Sequence, residues 1–282
     1  MTVTAPGQQA VGRASLTWNL LGRGPRDIET RADWPSPVSP DWAWGGATGR
    51  GVRVCIVDSG VEGDHALVGR LAGSYAVTRT ADGTHQVTET ADGDSCGHGT
   101  ACAGIVRTLA PDCELYSVRV LGQGFFGSGE ALIAGLRWAV EQRFDVVNLS
   151  LSTTRQAHTQ SLRKITDDAY FGRTLIVASA HNLQVESFPW RFSAVLSVGS
   201  HAEKDPGLFY YNPAPPVEFF AHGVDVQVPW LGGGEMRCSG NSFAAPHISG
   251  YCALILSKHP TLPPFQVKNV LYLTAANVGG RK

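Results

Sequence analysis

Residues 52–60 read VRVCIVDSG. A short run of valine, isoleucine and cysteine passes straight into Asp58, Ser59 and Gly60. It is too short for a helix and is closed by turn formers, so it reads as a strand buried on both faces. The same grammar returns at LYSVRVL (115–121), DVVNLSL (145–151), TLIVAS (174–179) and AVLSVG (194–199). Between these runs HGTACAGIVRTLA (98–110), SGEALIAGLRWAVEQR (128–143) and HTQSLRKITDDAYFG (158–172) read as helices, the second opening on Ser128 as an N-cap. Strand and helix in alternation predict an α/β fold, with parallel βαβ units and right-handed crossovers in a doubly wound sheet. Binding and chemistry gather at the carboxyl ends of such strands, which is where Asp58 stands.

Composition sets bounds on the rest. A length of 282 residues, 43% hydrophobic and 17% charged, suits one sizeable domain. Residues 1–40 are rich in Pro, Gly and Arg and read as an irregular arm ahead of a domain over 41–282, with Trp34, Trp42 and Trp44 as aromatic anchors. With 23 basic against 24 acidic residues and no run of either sign, the chain carries no footprint for nucleic acid or anionic lipid. No segment has the make-up of a secretory signal or a membrane span, so a cytoplasmic location is expected. There the six cysteines, Cys55, Cys96, Cys102, Cys113, Cys238 and Cys252, would be thiols.

Candidate chemistry sits at three places. Asp58 leaves the first strand, His98 opens a helix in DSCGHGTACAG (94–104), and Ser242 starts a long apolar helix in CSGNSFAAPHISGYC (238–252), whose Pro246 is expected in the first turn. A serine hydroxyl becomes a nucleophile when an imidazole takes its proton, and the imidazole needs a carboxylate to fix its tautomer and steady its cation. Taken singly, each residue has a commoner role as a turn former, helix cap or loop histidine; together they supply one of each part. Cys96, His98, Cys102 and Cys113 match no paired zinc-ligand spacing, so neither a metal nor a cofactor is expected.

VDSG with Asp58, GHGTACAG with His98 and GNSFAAPH with Ser242 resemble the three signature segments of the subtilisin-like serine peptidases, in that family's Asp, His, Ser order. The similarity runs from about Trp42 to Val278. It implies a mostly parallel, seven-stranded sheet flanked by helices and an endopeptidase working through an acyl-enzyme. It also implies that the Asn182 amide and the Ser242 N–H form the oxyanion hole. Substrate would lie extended between GQGFFGSG, including Gly127, and the segment Ser150, Leu151, Ser152.

Departures from the family pattern fall in the pocket. Ser152, His181 and Ser187 stand where relatives have glycine, which predicts a small P1 residue; a protonated His181 favouring an acidic P1 is the other option, weakened by Glu186 nearby. Asn241 replaces the usual threonine before the nucleophile. His247 matches a structural histidine of the family, and His65, His85, His158, His201 and His222 match no motif. GIVRTLAPDCELYS (104–117) runs across the position of a strong calcium loop, so none is expected there. From the resemblance, no folding prodomain of the usual length is expected ahead of Asp58. The resulting expectation is a selective cytoplasmic processing protease acting on a peptide precursor or leader. The alternative is a non-catalytic or weakly active peptide-binding shell. Cys96 and Cys238 are expected near the cleft, and the sequence leaves the oligomeric state open.

Overall fold

A computed structural model describes residues 34–278. Most of the arm expected over 1–40 therefore lies outside the described residues. Its last part is held by contacts between aromatic rings. Trp34 packs on Trp42 at 5.5 Å between ring centroids, Trp42 on His259 at 4.3 Å, and Trp44 on Tyr251 at 4.9 Å. Here the chain forms a short helix, α1 (Pro40–Trp44), whose N-cap Ser39 accepts the Trp42 N–H.

From there strands and helices follow as β1 (Arg53–Asp58), β2 (Gly73–Arg79), β3 (His85–Glu89), α2 (His98–Leu109), β4 (Glu114–Arg119), α3 (Gly129–Glu141), β5 (Val146–Leu149), α4 (Thr159–Phe171), β6 (Leu175–Ser179) and β7 (Leu196–His201). The last part of the chain forms β8 (Phe209–Tyr211), β9 (Phe219–His222), the ribbon β10 (Val226–Trp230) and β11 (Gly234–Cys238), then α5 (Asn241–Lys258) and α6 (Pro264–Thr274). The main sheet has the order β3-β2-β4-β1-β5-β6-β7-β9-β8. From β2 to β9 every pairing is parallel; β3 and β8 close the two edges antiparallel. The seven-stranded parallel sheet is therefore present with an antiparallel strand added at each edge. Those edge strands are short and partly exposed, and their mixed composition hides them from a search for buried runs.

Strands are added on one side of β1 until β4 and on the other side from β5 onward. This reversal brings the carboxyl ends of β1 and β5 together beside α2, the place where open α/β sheets bind ligands. Register fixes the approach, with Val54, Cys55 and Ile56 opposite Val146, Val147 and Asn148. On one face, Leu132, Leu136 and Ala139 of α3 and Leu162 and Ile165 of α4 pack with Phe144 against β5 and β6. On the other, α5 is buried from Phe243 to Leu256, which makes it a central helix and not an amphipathic surface one.

Leu136 has no exposed surface in this layer. Truncating it with Leu136→Ala removes side-chain contacts on a sheet face that has little freedom to collapse. Urea unfolding should show a loss of about 2–5 kcal/mol.

Candidate active site

Asp58 ends β1 fully buried, and its Oδ1 accepts two hydrogen bonds of 2.8 Å, from His98 Nδ1–H and from the Ser59 N–H. Its Oδ2 is buried with no hydrogen-bond partner among the described residues. A buried carboxylate so incompletely solvated gains most when the neighbouring ring becomes cationic. Burial of the His98 ring, the largest effect on it, disfavours that cation. The charge and hydrogen bond of Asp58, with the charge of Asp94 behind them, outweigh burial and hold the His98 pKa above the ordinary value of 6.5.

Glycines at 97 and 99 let the start of α2 pack closely, the first against Trp230 of β10 and the second against the β1 turn. Gly97, the N-cap residue, has φ 90°, and a Cβ there would lie 2.6 Å from the Trp230 ring. At Gly99 a Cβ would collide with the Gly60 carbonyl, so any side chain would push His98 away from Asp58. Asp94 then pins the helix start. Its Oδ1 accepts the N–H groups of Cys96 and Gly97, and its Oδ2 accepts the N–H and hydroxyl of Thr100. Ser59 joins this to the β1 turn by donating to Asp94 at 2.7 Å while accepting the Gly99 N–H at 3.0 Å. The sequence reading did not single out Asp94 or Ser59; the signal available was an acid placed just before a helix start.

Ser242 lies in the first turn of α5. The position a Cβ on Gly240 would take is 3.2 Å from Ser242 Oγ and 3.4 Å from Asn182 Nδ2, so the two groups face one small space that glycine leaves open. The Asn182 amide is oriented because its Oδ1 accepts the Asn241 N–H at 2.9 Å, which turns Nδ2 toward that space. Asn241 is itself clamped: its Oδ1 accepts the Ser200 N–H at 3.0 Å and its Nδ2 donates to the His181 carbonyl at 3.3 Å. A carboxamide reaches both partners at once, which a threonine hydroxyl is too short to do.

Pro246 is not in the first turn. The helix begins at Asn241, so Pro246 falls where its N–H would have bonded the Ser242 carbonyl. That carbonyl instead accepts Ser150 Oγ–H at 2.8 Å. Ser150 Oγ also accepts from Asn148 Nδ2 at 3.2 Å, and Asn148 Oδ1 accepts from Ser249 at 2.9 Å. A buried polar chain thus ties the end of β5 to α5 beneath Ser242.

His98, Ser242 and Asn182 border one cleft of ≈ 570 Å³, with Gly127 to Gly129 on one side and Ser150, Leu151 and Ser152 on another. His181 borders it too, its Nδ1 accepting the Leu183 N–H at 3.0 Å. Ser187 does not reach the cleft. Its side chain is fully buried and accepts the Trp190 indole N–H at 2.8 Å, because the chain turns into the core at Phe188. Cys96 and Cys238 are also absent from the cleft lining, contrary to expectation, whereas Trp230 and Arg155 are part of it and were missed. His247 is buried, donates from Nδ1 to the Phe243 carbonyl, and is pushed down to about 4 chiefly by burial, as a structural neutral ring would be.

Asp58, His98 and Cys102 bring donor atoms within 4.8 Å of one another. Burial pushes the Cys102 thiol well up, and it lies 3.5 Å from Ser150 Oγ and 3.6 Å from the Ser242 carbonyl. Zinc would require a thiolate there and would compete with the Asp58–His98 bond, so the group fits packing better than a resident metal.

Carboxylate, imidazole, hydroxyl and an oriented amide around one cleft at the carboxyl edge of a parallel sheet define a site suited to serine-type acyl transfer. A model of the subtilase family matches residues 49–282. Subtilisin DY of Bacillus licheniformis is 30% identical over 249 residues, covering 83% of this chain and 87% of the relative. Alkaline elastase YaB of Bacillus sp. (strain YaB) is 30% identical over 245 residues, covering 83% of this chain and 62% of that longer protein. Among solved structures, a cold-adapted subtilisin-like serine proteinase superposes with TM-score 0.65 at 25% identity, covering 83% of this chain and 87% of the other. The chain belongs to the subtilase family of serine endopeptidases.

The oxyanion-hole role expected of Asn182 predicts that Asn182→Ala lowers kcat by about a hundredfold or more with KM little changed. Ser150→Ala strands the Ser242 carbonyl and the Asn148 amide, and denaturant unfolding should register a loss of about 1–3 kcal/mol.

Proposed function

We propose that Asp58, His98 and Ser242 act as a catalytic triad that hydrolyses selected peptide bonds through an acyl-enzyme. The observation that carries this reading is the 2.8 Å bond from His98 Nδ1–H to buried Asp58, made beside Ser242 on the same cleft. That bond fixes the tautomer in which Nε2 is free of a proton and takes one from the Ser242 hydroxyl as Oγ attacks the substrate carbonyl. Asp58 steadies the imidazolium. The developing oxyanion receives Asn182 Nδ2–H and the Ser242 N–H, which lies in the first turn of α5, where amides have no partner within the helix. Collapse breaks the C–N bond as His98 returns the proton to the leaving amine. A water then repeats the cycle on the ester, giving up its proton to His98.

Extended substrate lies between Gly127–Gly129 and Ser150–Ser152, and Ser152 and His181 narrow the P1 site, which supports a preference for small residues there. A narrowed pocket suits a processing enzyme with few targets better than general digestion. A reducing, cytoplasmic setting is part of the same proposal, supported by six free cysteines of which Cys55, Cys102, Cys113 and Cys252 are buried. Among the described residues no helix is long and apolar enough to cross a membrane.

A fluorophosphonate probe should label wild-type protein at Ser242 and fail to label Ser242→Ala. Casein should be digested slowly, while a diverse peptide pool analysed by mass spectrometry should show a restricted set of cuts after small residues. A folded wild-type sample that takes no label and cuts nothing would establish the peptide-binding shell instead. Rapid indiscriminate casein digestion would refute the selective role alone.

A further inference from the structure

We infer that Arg155 selects substrates carrying an aspartate or glutamate on the acyl side of the scissile bond, beyond P1; the inference rests on the peptidase reading above. The segment that starts under Ser242 at Ser150 runs outward along the cleft through Ser152. Thr153 then pairs with Phe188 through two hydrogen bonds of 2.9 Å. Thr153 Oγ1 accepts the Arg155 N–H at 3.2 Å, which sets the path of the turn that follows. Arg155 thus borders the cleft three residues beyond Ser152, on the segment proposed to flank extended substrate.

The charges around it leave this guanidinium for the substrate. Among the described residues bordering the cleft, Arg155 is the only Lys, Arg, Asp or Glu. Its guanidinium has no hydrogen bond or ion pair within the described residues. Glu130 feels its charge, but that carboxylate is engaged elsewhere. It is held low first by its own backbone N–H and the Ser128 hydroxyl at the start of α3, and it lies 3.7 Å from His158 Nε2. Glu186, the acid that would oppose an anionic ligand, accepts Gln156 Nε2 at 3.0 Å and does not border the cleft. His181 Nδ1 is taken up by the Leu183 N–H. An anionic side chain would therefore meet one unpaired cation whose planar fork fits a carboxylate at two points.

Arg155 is exposed, so water and salt screen the pairing, and the expected preference is moderate. The test is a peptide series with alanine at P1 in which aspartate, glutamine or lysine is walked through P2 to P6. It is assayed with wild type, Arg155→Gln and Arg155→Glu at low and high salt. Wild type should favour aspartate over lysine at one of these positions by about three- to tenfold in kcat/KM, mainly through KM, and less so at high salt. Arg155→Gln should flatten that ratio and Arg155→Glu should invert it. No charge preference at any position, or one that survives Arg155→Glu, overturns the inference. If even the glutamine peptides resist cleavage, the peptidase reading fails separately. Fluorescence anisotropy of the same labelled peptides then decides whether Arg155 selects acidic ligands.

Discussion

A carboxylate sealed beneath an imidazole imposes a demand on everything around it. Asp58 loses its water on leaving β1 and recovers only part of that loss from two donors on one oxygen. The arrangement holds because α2 starts within contact of the β1 turn, and that approach depends on glycine at 99 and on Asp94 gripping the helix start. Sheet topology supplies the coarse placement and these polar contacts the fine one. The result is an imidazole whose cation is favoured despite burial, the property required of a base that must carry a proton for part of each cycle.

A second set of constraints holds Ser242. Pro246 removes one helical hydrogen bond and thereby frees the Ser242 carbonyl for Ser150, so the strand carrying one wall of the cleft is joined directly to the helix carrying the serine. Asn241 does the corresponding work for the amide, tying α5 to the Ser200 strand end and to the loop that carries Asn182. Both devices fix positions through satisfied polar groups, buried at Ser150 and partly exposed at Asn241, which specify geometry where apolar packing alone would allow sliding.

The central strands were legible because burial on both faces leaves an uninterrupted apolar run, and Ser128 was legible as a cap because capping is local chemistry; its hydroxyl does accept the Ala131 N–H. The edge strands and the ribbon over 226–238 were not, since their faces differ in burial and their patterns are mixed. At the site, the residues with reactive groups in motif order were readable. Roles set by the path of a loop were hidden: Asp94 works through the backbone amides that follow it, Ser187, expected in the pocket, turns inward to Trp190, and Arg155 follows a turn set by Thr153. Pro246 was misplaced because a helix start cannot be read to one residue, and the start decides whether Pro246 falls past the first turn and so releases the Ser242 carbonyl.

The site depends on the coupling of His98 to Asp58, and a nuclear magnetic resonance titration of the His98 ring in intact protein tests it most directly. The ring should titrate above 6.5 in the wild type and markedly lower in Asp58→Asn, because the charge that offsets burial is gone. A wild-type value at or below 6.5, unchanged by Asp58→Asn, would contradict it.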